Sequence, residues 1–150
     1  YLLGDVKEVQ ARTATALHAI EVEDTLVATM VYASGALGTF HATTAAWPGY
    51  PRRIEISGTE GTLQLEHDRI AGWDLKSGHV AGATLTSTSQ SASTAVVADA
   101  TPHRRVVEDF VLSLQAGRRP ACDGREGRRS IALAQALYEA ARTGRTTPVE

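Results

Sequence analysis

The sequence predicts an α+β fold, in which an open, mainly antiparallel β-sheet carries two C-terminal helices packed on one face. Short segments of alternating apolar and polar residues, separated by turns, occupy the first half of the chain. A helical spacing of apolar residues appears only after Asp99. The length of 150 residues suits a single domain with its own core. Strands followed by helices are typical of the α+β class.

The first three strands are predicted between clear turn signals. Tyr1 to Asp5 resembles the last turn of a helix ended by a glycine. Val6 to Thr15 then alternates between apolar and polar residues, which predicts a strand. Thr25 to Tyr32 is rich in β-branched residues, and a glycine-containing turn joins it to a third strand, Leu37 to Thr44. These last two strands are expected to form a hairpin.

A second hairpin is predicted around the tight polar turn from Ser57 to Gly61. Its alternating residues are Arg53, Ile54, Glu55 and Ile56 before the turn and Leu63, Gln64, Leu65 and Glu66 after it. An aromatic segment, Trp47 to Tyr50, leads into this hairpin and is placed to cover a pocket. Arg69 to Leu75 predicts a further strand, whereas Ala81 to Thr94, dominated by Ser, Thr and Ala, is expected to be a mobile loop or a weak edge strand.

Two amphipathic helices are predicted in the last third of the chain. The first begins at Thr101-Pro102 and ends before Gly117 and Pro120. Its apolar stripe consists of Val106, Val107, Phe110, Val111 and Leu114. The second begins at a capping box formed by Asp123 and Glu126 and ends at Gly144. Its inward-facing residues are expected to be Ile131, Ala134, Leu137, Tyr138 and Ala141.

One face of the sheet remains without a helix to cover it. If odd-numbered residues face outward, this face carries Thr25, Val27, Thr29, Val31, Thr39, His41 and Thr43. Such a mixture is too polar for a second core and too β-branched for a purely solvated surface. It suits a protein–protein interface, because antiparallel sheets tolerate one partly wetted face.

Composition excludes several classes of partner. The net charge is −2, with 15 basic and 17 acidic residues interspersed, so no basic face is expected to bind nucleic acid. No apolar stretch approaches the roughly 18–20 residues needed to span a bilayer, and the N-terminus lacks signal-peptide features. We therefore expect no membrane association and a cytoplasmic location. The single cysteine, Cys122, excludes an internal disulfide and is interpreted as a free structural thiol.

The sequence contains no motif for a nucleotide cofactor or a metal ion. Dinucleotide binding requires Gly-x-Gly-x-x-Gly between a strand and a helix, and this pattern does not occur. The five histidines are spread singly along the chain. Glu66, His67 and Asp68 are adjacent, but neighbouring residues in a turn rarely converge on one ion. No catalytic, cofactor-binding or metal-binding residue is therefore assigned to this chain.

Two groups of residues have both a functional and a structural interpretation. His41 lies in mid-strand and is either a general acid or base in a pocket, or a polar residue on a sheet face or dimer interface. Trp47 and Tyr50 either stack on a sugar ring or fill a loop, and the pair Arg53 and Glu55 either orients a polar ligand or decorates a solvated strand. The residues alone leave both alternatives open.

The order of several motifs resembles the C-terminal domain of the glucose-fructose oxidoreductase and inositol dehydrogenase (Gfo/Idh/MocA) superfamily. The run from Gly49 to Gly58, followed by Gly61-Thr62-Leu63, is similar to the family's Gly-Tyr-Asp-x-Arg-x-Glu-hydrophobic-x-Gly pattern and its glycine turn. Weaker similarities extend over nearly the whole chain. They comprise Leu3-Gly4-Asp5-Val6, Gly35-Ala36-Leu37-Gly38, and Asp123-Gly124-Arg125-Glu126 leading into Ala132-Leu133-Ala134-Gln135-Ala136.

The resemblance implies a substrate-side and oligomerisation domain of an NAD- or NADP-dependent oxidoreductase acting on a sugar or polyol. Residues 1–150 would form one such domain, whose own N-terminal Rossmann domain carries the cofactor site and the catalytic lysine, aspartate and histidine. The resemblance also implies a homodimer or higher homo-oligomer through the sheet. Tyr50, and with it Trp47, would approach the substrate hydroxyls, supported by Arg53 and Glu55. Pro51 replaces the family's usual aspartate, which suggests a substrate other than inositol.

Three hypotheses follow from the sequence. The first is the oxidoreductase domain described above, inactive when isolated. The second is a stand-alone ligand-binding or protein-interaction module of the same fold without redox activity, which the coding sequence before Tyr1 would distinguish from the first. The third, an enzyme acting through His41 alone, predicts that His41→Ala abolishes an activity of the isolated domain.

Overall fold

The computed structural model describes residues 2–67, 69–79 and 100–150. They form eight strands and two helices in the order β1 (Val6–Ala14), β2 (Thr25–Tyr32), β3 (Leu37–Thr43), β4 (Arg53–Gly58), β5 (Gly61–Glu66), β6 (Arg69–Leu75), β7 (Gly78–His79), α1 (Thr101–Gln115), α2 (Gly124–Thr143) and β8 (Thr147–Pro148). The α+β class predicted from the sequence is confirmed. Ala81 to Thr94 lies outside the described residues.

The chain divides into two compact units. The first unit contains the described residues up to Ala45 together with those from 100 onward, and the second contains those from Ala46 to His79. Each unit has its own four-stranded antiparallel sheet, with the orders β3-β2-β1-β8 and β4-β5-β6-β7. The strands predicted for one open sheet are therefore divided between two, because β3 and β4 are joined by an irregular segment and do not pair with each other.

Strand register in the first unit sorts side chains onto two faces. Val9, Ala11 and Ala28 are buried on one face, where α2 contributes Ala136, Leu137 and Ala140 to the same core. Alanines at these positions let the helix backbone approach the sheet closely, and the core is correspondingly thin. The opposite face, which we call the open face, pairs Thr25 with Thr43, Val27 with His41, and Thr29 with Thr39 across β2 and β3. The predicted parity of the outward residues is confirmed.

Helix α2 begins and ends where the sequence predicted. Asp123 is its N-cap, and its carboxylate accepts hydrogen bonds from the backbone N–H groups of Arg125 and Glu126. Gly144 ends the helix in the left-handed conformation, with φ of 70°. The inward face is rotated from the predicted one, since Ile131 and Tyr138 are exposed while Ala136 and Ala140 are buried.

Two further predictions differ from the structure. Residues 2–5 contain no helical turn, although Gly4, the residue that predicted a helix end, has a positive φ of 84°. The apolar residues of α1 remain exposed, and within the described residues this helix makes no extensive contact with the strands of its unit. Only α2 packs on the first sheet as predicted.

Candidate functional site

The aromatic segment predicted to contact substrate lies in the second unit, between β3 and β4. Trp47 and Tyr50 are among the most exposed large side chains of the structure, at 93% and 84% of their full accessible surface. Gly49 lies between the two aromatic residues and has the positive φ of 78°. Both rings keep their faces accessible, as stacking on a sugar ring requires.

Arg53, Glu55 and Gln64 form a polar network on the hairpin that follows. Arg53 donates from Nη2 to Oε2 of Glu55 at 2.8 Å, and Gln64, directly across the ladder from Glu55, donates from Nε2 to the same oxygen at 3.2 Å. The pair of Arg53 and Glu55 predicted from strand alternation is therefore present. Both side chains are about half exposed, at 58% and 44%, so the network faces solvent.

The second sheet is amphipathic, and the network lies on its polar face. Register places Arg53, Glu55, Ser57, Thr62, Gln64, Glu66, Gly72 and Asp74 on this face. Gly72 is opposite Gln64, and a Cβ there would come within 3.5 Å of Gln64 Oε1. A guanidinium, a carboxylate and a carboxamide together supply the planar donors and acceptors that bind vicinal hydroxyl groups.

His41 lies on the open face of the first unit. Its β3 position is opposite Val27, and it contributes to a concavity of about 510 Å³. The other lining residues are Gln10, Ala11, Arg12, Val27, Ala28, Thr29, Thr39, Phe40, Gly144 and Arg145. His41 is exposed and has no carboxylate partner among them, so the general-base interpretation gains no support. The structure fits the alternative of a polar residue on a sheet face.

Asp24 is a buried carboxylate that the sequence analysis did not single out. Only 4% of its surface is exposed, and it accepts hydrogen bonds from the backbone N–H groups of Ala16, Leu17 and His18 at 2.8, 2.8 and 3.0 Å. The Thr25 hydroxyl donates to it at 3.0 Å. These donors, with the Ala16 N–H foremost, hold the pKa of Asp24 well below its usual value.

The role of Asp24 is to fold the loop between β1 and β2. The only feature in the sequence that could have pointed to Asp24 was its position directly before a β-branched strand. That position does not predict that the preceding loop donates its backbone N–H groups to the carboxylate. His18 Nδ1 lies 3.3 Å from Asp24 Oδ2, which adds a side-chain contact to the backbone contacts. The site is an anchor for a loop and has no accessible position for a substrate.

The cysteine, the candidate metal-binding cluster and the helices were the other features considered in the sequence. Cys122 is a free thiol, as expected, but it is exposed and does not pack in the core. His67 lies in the turn between β5 and β6 with φ of 51°, and the described residues contain no group of three His, Cys, Asp or Glu side chains placed to hold a metal. Neither α1 nor α2 is both long and apolar enough to cross a bilayer.

Comparison with known proteins finds similarity to one type of domain. Residues 1–64 match the model of the GFO/IDH/MocA C-terminal domain. The whole chain aligns with D-apiose dehydrogenase from Paraburkholderia graminis at 27% identity, over 41% of the length of that protein. The chain therefore spans less than half of this relative.

Solved structures with the same fold include two complexes with nicotinamide cofactors. The WlbA dehydrogenase from Bordetella pertussis, in complex with NADH and UDP-GlcNAcA, is 31% identical with a TM-score of 0.76, over 99% of this chain and 40% of its own. An oxidoreductase from Agrobacterium radiobacter, in complex with NAD+, L-tartaric acid and magnesium, is 25% identical with a TM-score of 0.78, over 98% of this chain and 44% of its own.

Proposed function

We propose, since this chain is a C-terminal domain of the Gfo/Idh/MocA oxidoreductase superfamily, that it is the substrate-side and oligomerisation domain of an NAD- or NADP-dependent sugar or polyol dehydrogenase. Residues 1–150 would act as one domain in this role, and the cofactor and the catalytic residues would belong to the N-terminal Rossmann domain of the same protein. The isolated chain would therefore be inactive. The alternative, a binding module of the same fold without redox activity, is an outcome of the tests below.

The observation that carries this proposal is the relationship to dehydrogenases along the whole chain. The relatives are D-apiose dehydrogenases, and the WlbA structure holds NADH together with a sugar-acid nucleotide. These relationships support hydride transfer between a nicotinamide cofactor and a carbon of a sugar or polyol. They cover only the part of each relative that aligns with this chain, so the activity of the whole protein is inferred.

The substrate contacts proposed for this chain are Trp47, Tyr50 and Arg53. The exposure of the two aromatic rings supports stacking on the apolar face of a sugar. Arg53, already oriented by Glu55, would donate to a substrate oxygen with its remaining N–H groups. In this arrangement the second unit orients the substrate, and chemistry occurs on groups supplied by the other domain.

Kinetics of the whole dehydrogenase test this assignment. Trp47→Ala, Tyr50→Ala and Arg53→Gln are compared with the control Lys76→Gln, an exposed cation of the same unit outside the proposed site. NADH formation would be followed with a panel of aldoses, polyols and UDP-sugar acids. Each site variant should raise KM for the sugar by about 10–100-fold, while KM for the nicotinamide cofactor is unchanged, because these contacts bind substrate in the ground and transition states alike.

Two results would contradict the proposal. Sugar kinetics of all three site variants equal to those of the control would remove these residues from the site. Turnover by the 150-residue chain alone would place catalysis within it, and loss of that turnover in His41→Ala would then support the third hypothesis.

The open face of the first sheet is the proposed surface for self-association. It presents Val27 and Leu37, which are 46% and 79% exposed, among threonines. Glu8 and Arg12 lie on β1 at opposite ends of this face. In a two-fold symmetric pair each would meet the opposite charge on the other copy. We further propose a cytoplasmic location, which the single free cysteine supports.

A further inference from the structure

Helix α1 presents an apolar stripe that no described part of its own unit covers. Five side chains form the stripe, and each is between 45% and 65% exposed: Val106, Val107, Phe110, Val111 and Leu114. They occupy one side of the helix at successive i, i+3 and i+4 positions. Contiguous apolar patches of this kind on a folded protein mark interaction surfaces.

The polar edge of α1 makes hydrogen bonds within the helix and with the segment that follows it. Ser113 is fully buried and donates to Asp109 at 3.5 Å. Asp109 in turn accepts hydrogen bonds from Arg118 Nη2 at 2.9 Å and from the Ala121 backbone N–H at 2.7 Å. The chain after α1 thus folds back along this edge. The stripe lies about a quarter of a turn around the helix from this polar edge, so the segment after α1 does not cover it.

We propose that the stripe of α1 is the docking surface for the nucleotide-binding domain of the same protein. This inference rests on the proposed function, which assigns such a domain to the full polypeptide. The surface would bind a second apolar face, since the stripe contains no charged side chain. Association through it would hold the two domains in a fixed relation, so that substrate on one meets cofactor on the other.

Two observations favour this occupant over others. The relatives contain more than half of their length outside the aligned region, and this domain type occurs with an N-terminal Rossmann domain. In addition, Asp5, just before β1, forms an ion pair with Arg129 near the start of α2. The segment after α1, whose Ala121 N–H donates to Asp109, leads into the same end of α2. A domain joined before β1 therefore emerges at the end of the unit where the chain passes from α1 into α2.

Cysteine labelling tests the proposal in the whole protein. In a Cys122→Ser background, Leu114→Cys places a thiol on the stripe and Arg105→Cys places one on the opposite side of the helix. Val107→Cys is a second stripe position in case Leu114→Cys fails to fold. Labelling by a maleimide should be at least about tenfold slower at the stripe positions than at the control, because a docked interface excludes water and reagent. In the 150-residue chain all three should react at similar rates.

Each other outcome has a definite meaning. Equal rates in the whole protein, or slow stripe labelling in the 150-residue chain itself, would overturn the proposal, since the stripe would then be uncovered or covered by its own chain. Protection that increases with protein concentration would also overturn it, by assigning the surface to a second copy. Protection in a whole protein that reduces no nicotinamide cofactor would keep the docking surface and reject the dehydrogenase function.

Discussion

Asp24 illustrates how one carboxylate organises a loop chiefly through backbone donors. Three successive backbone N–H groups and one hydroxyl converge on it, and only 4% of its surface remains exposed. Hydrogen bonds to the charged form stabilise it more than burial destabilises it, so the pKa of this group falls. A lowered pKa in the folded state means that the ionised form contributes to stability.

Asp24→Asn should therefore lower the melting temperature near neutral pH and reduce the acid sensitivity of the protein. The contribution of the Asp24 carboxylate is complete above its unfolded pKa of about 3.9, and it is lost as the pH falls toward the lower folded value. Thermal unfolding from pH 7 to pH 2 measures this. The stability difference between wild type and variant should shrink toward the acid end. A stability difference between wild type and Asp24→Asn that does not change with pH would contradict this assignment. So would the same pH-dependent loss of stability in Glu21→Gln, which changes a carboxylate in the same loop.

The residues that the sequence predicted successfully are those whose partners lie close along the chain. Arg53 and Glu55 are separated by one residue on a strand, so alternation alone places them on the same face. Asp24 contacts residues six to eight positions earlier through an irregular loop, for which periodicity gives no information. The exposure of Trp47 and Tyr50 likewise depends on a turn whose geometry the sequence did not specify.

Among the elements, the β4–β5 hairpin depends most on a single position. Gly61 begins β5 with φ of 157°, and a Cβ there would lie 2.1 Å from the Asp74 carbonyl oxygen on β6. Gly58 is paired with Gly61 across the turn, and a Cβ added at Gly58 would have no atom closer than 3.7 Å. The close approach of three strands therefore requires glycine at 61 but not at 58.

Gly61→Ala should destabilise the second unit much more than Gly58→Ala. The clash is with backbone, which cannot move aside as a flexible side chain would, and strain of this kind typically costs more than about 1 kcal/mol. Denaturant unfolding of the two variants, with Trp73 on β6 as a nearby fluorophore, compares them directly. Similar midpoints for both variants would show that β6 shifts easily and that the close contact is unimportant.

The two helices show why element boundaries were easier to predict than packing. Caps and helix ends are local signals, and Asp123, Gly144 and Thr101 mark them correctly. Which face turns inward depends on the partner surface, and the side of α2 that meets β1 carries Ala136, Leu137 and Ala140. Ile131 and Tyr138 lie on the opposite side of the helix and are exposed, although their spacing is equally compatible with burial.

At the scale of the molecule, strands β1 to β6 were predicted almost residue by residue, but the short strands β7 and β8 and the assembly of the sheets were not. Alternation identifies a strand and its two faces, and hairpin turns identify its neighbour along the chain. Nothing in alternation determines whether β3 continues to β4 in one sheet, and the structure has two sheets. Two faces have no cover among the described residues, the open face and the stripe of α1, and we have proposed them for interactions with a second copy and with another domain. A single chain encodes such interactions only as unexplained apolar surface.

The open face gives the final prediction, because self-association through it has a simple test. Val27→Asp introduces a charge at the centre of this face, opposite His41 on β3, while Val22→Asp changes a valine of similar exposure in the β1–β2 loop. Light scattering should find a dimer or larger oligomer for wild type and for Val22→Asp, and should find monomers for Val27→Asp at the same concentration. A buried unpaired carboxylate at an interface costs several kcal/mol, enough to lower association by more than about a hundredfold. A monomeric wild type at high concentration, or association unchanged in Val27→Asp, would exclude the open face as the interface.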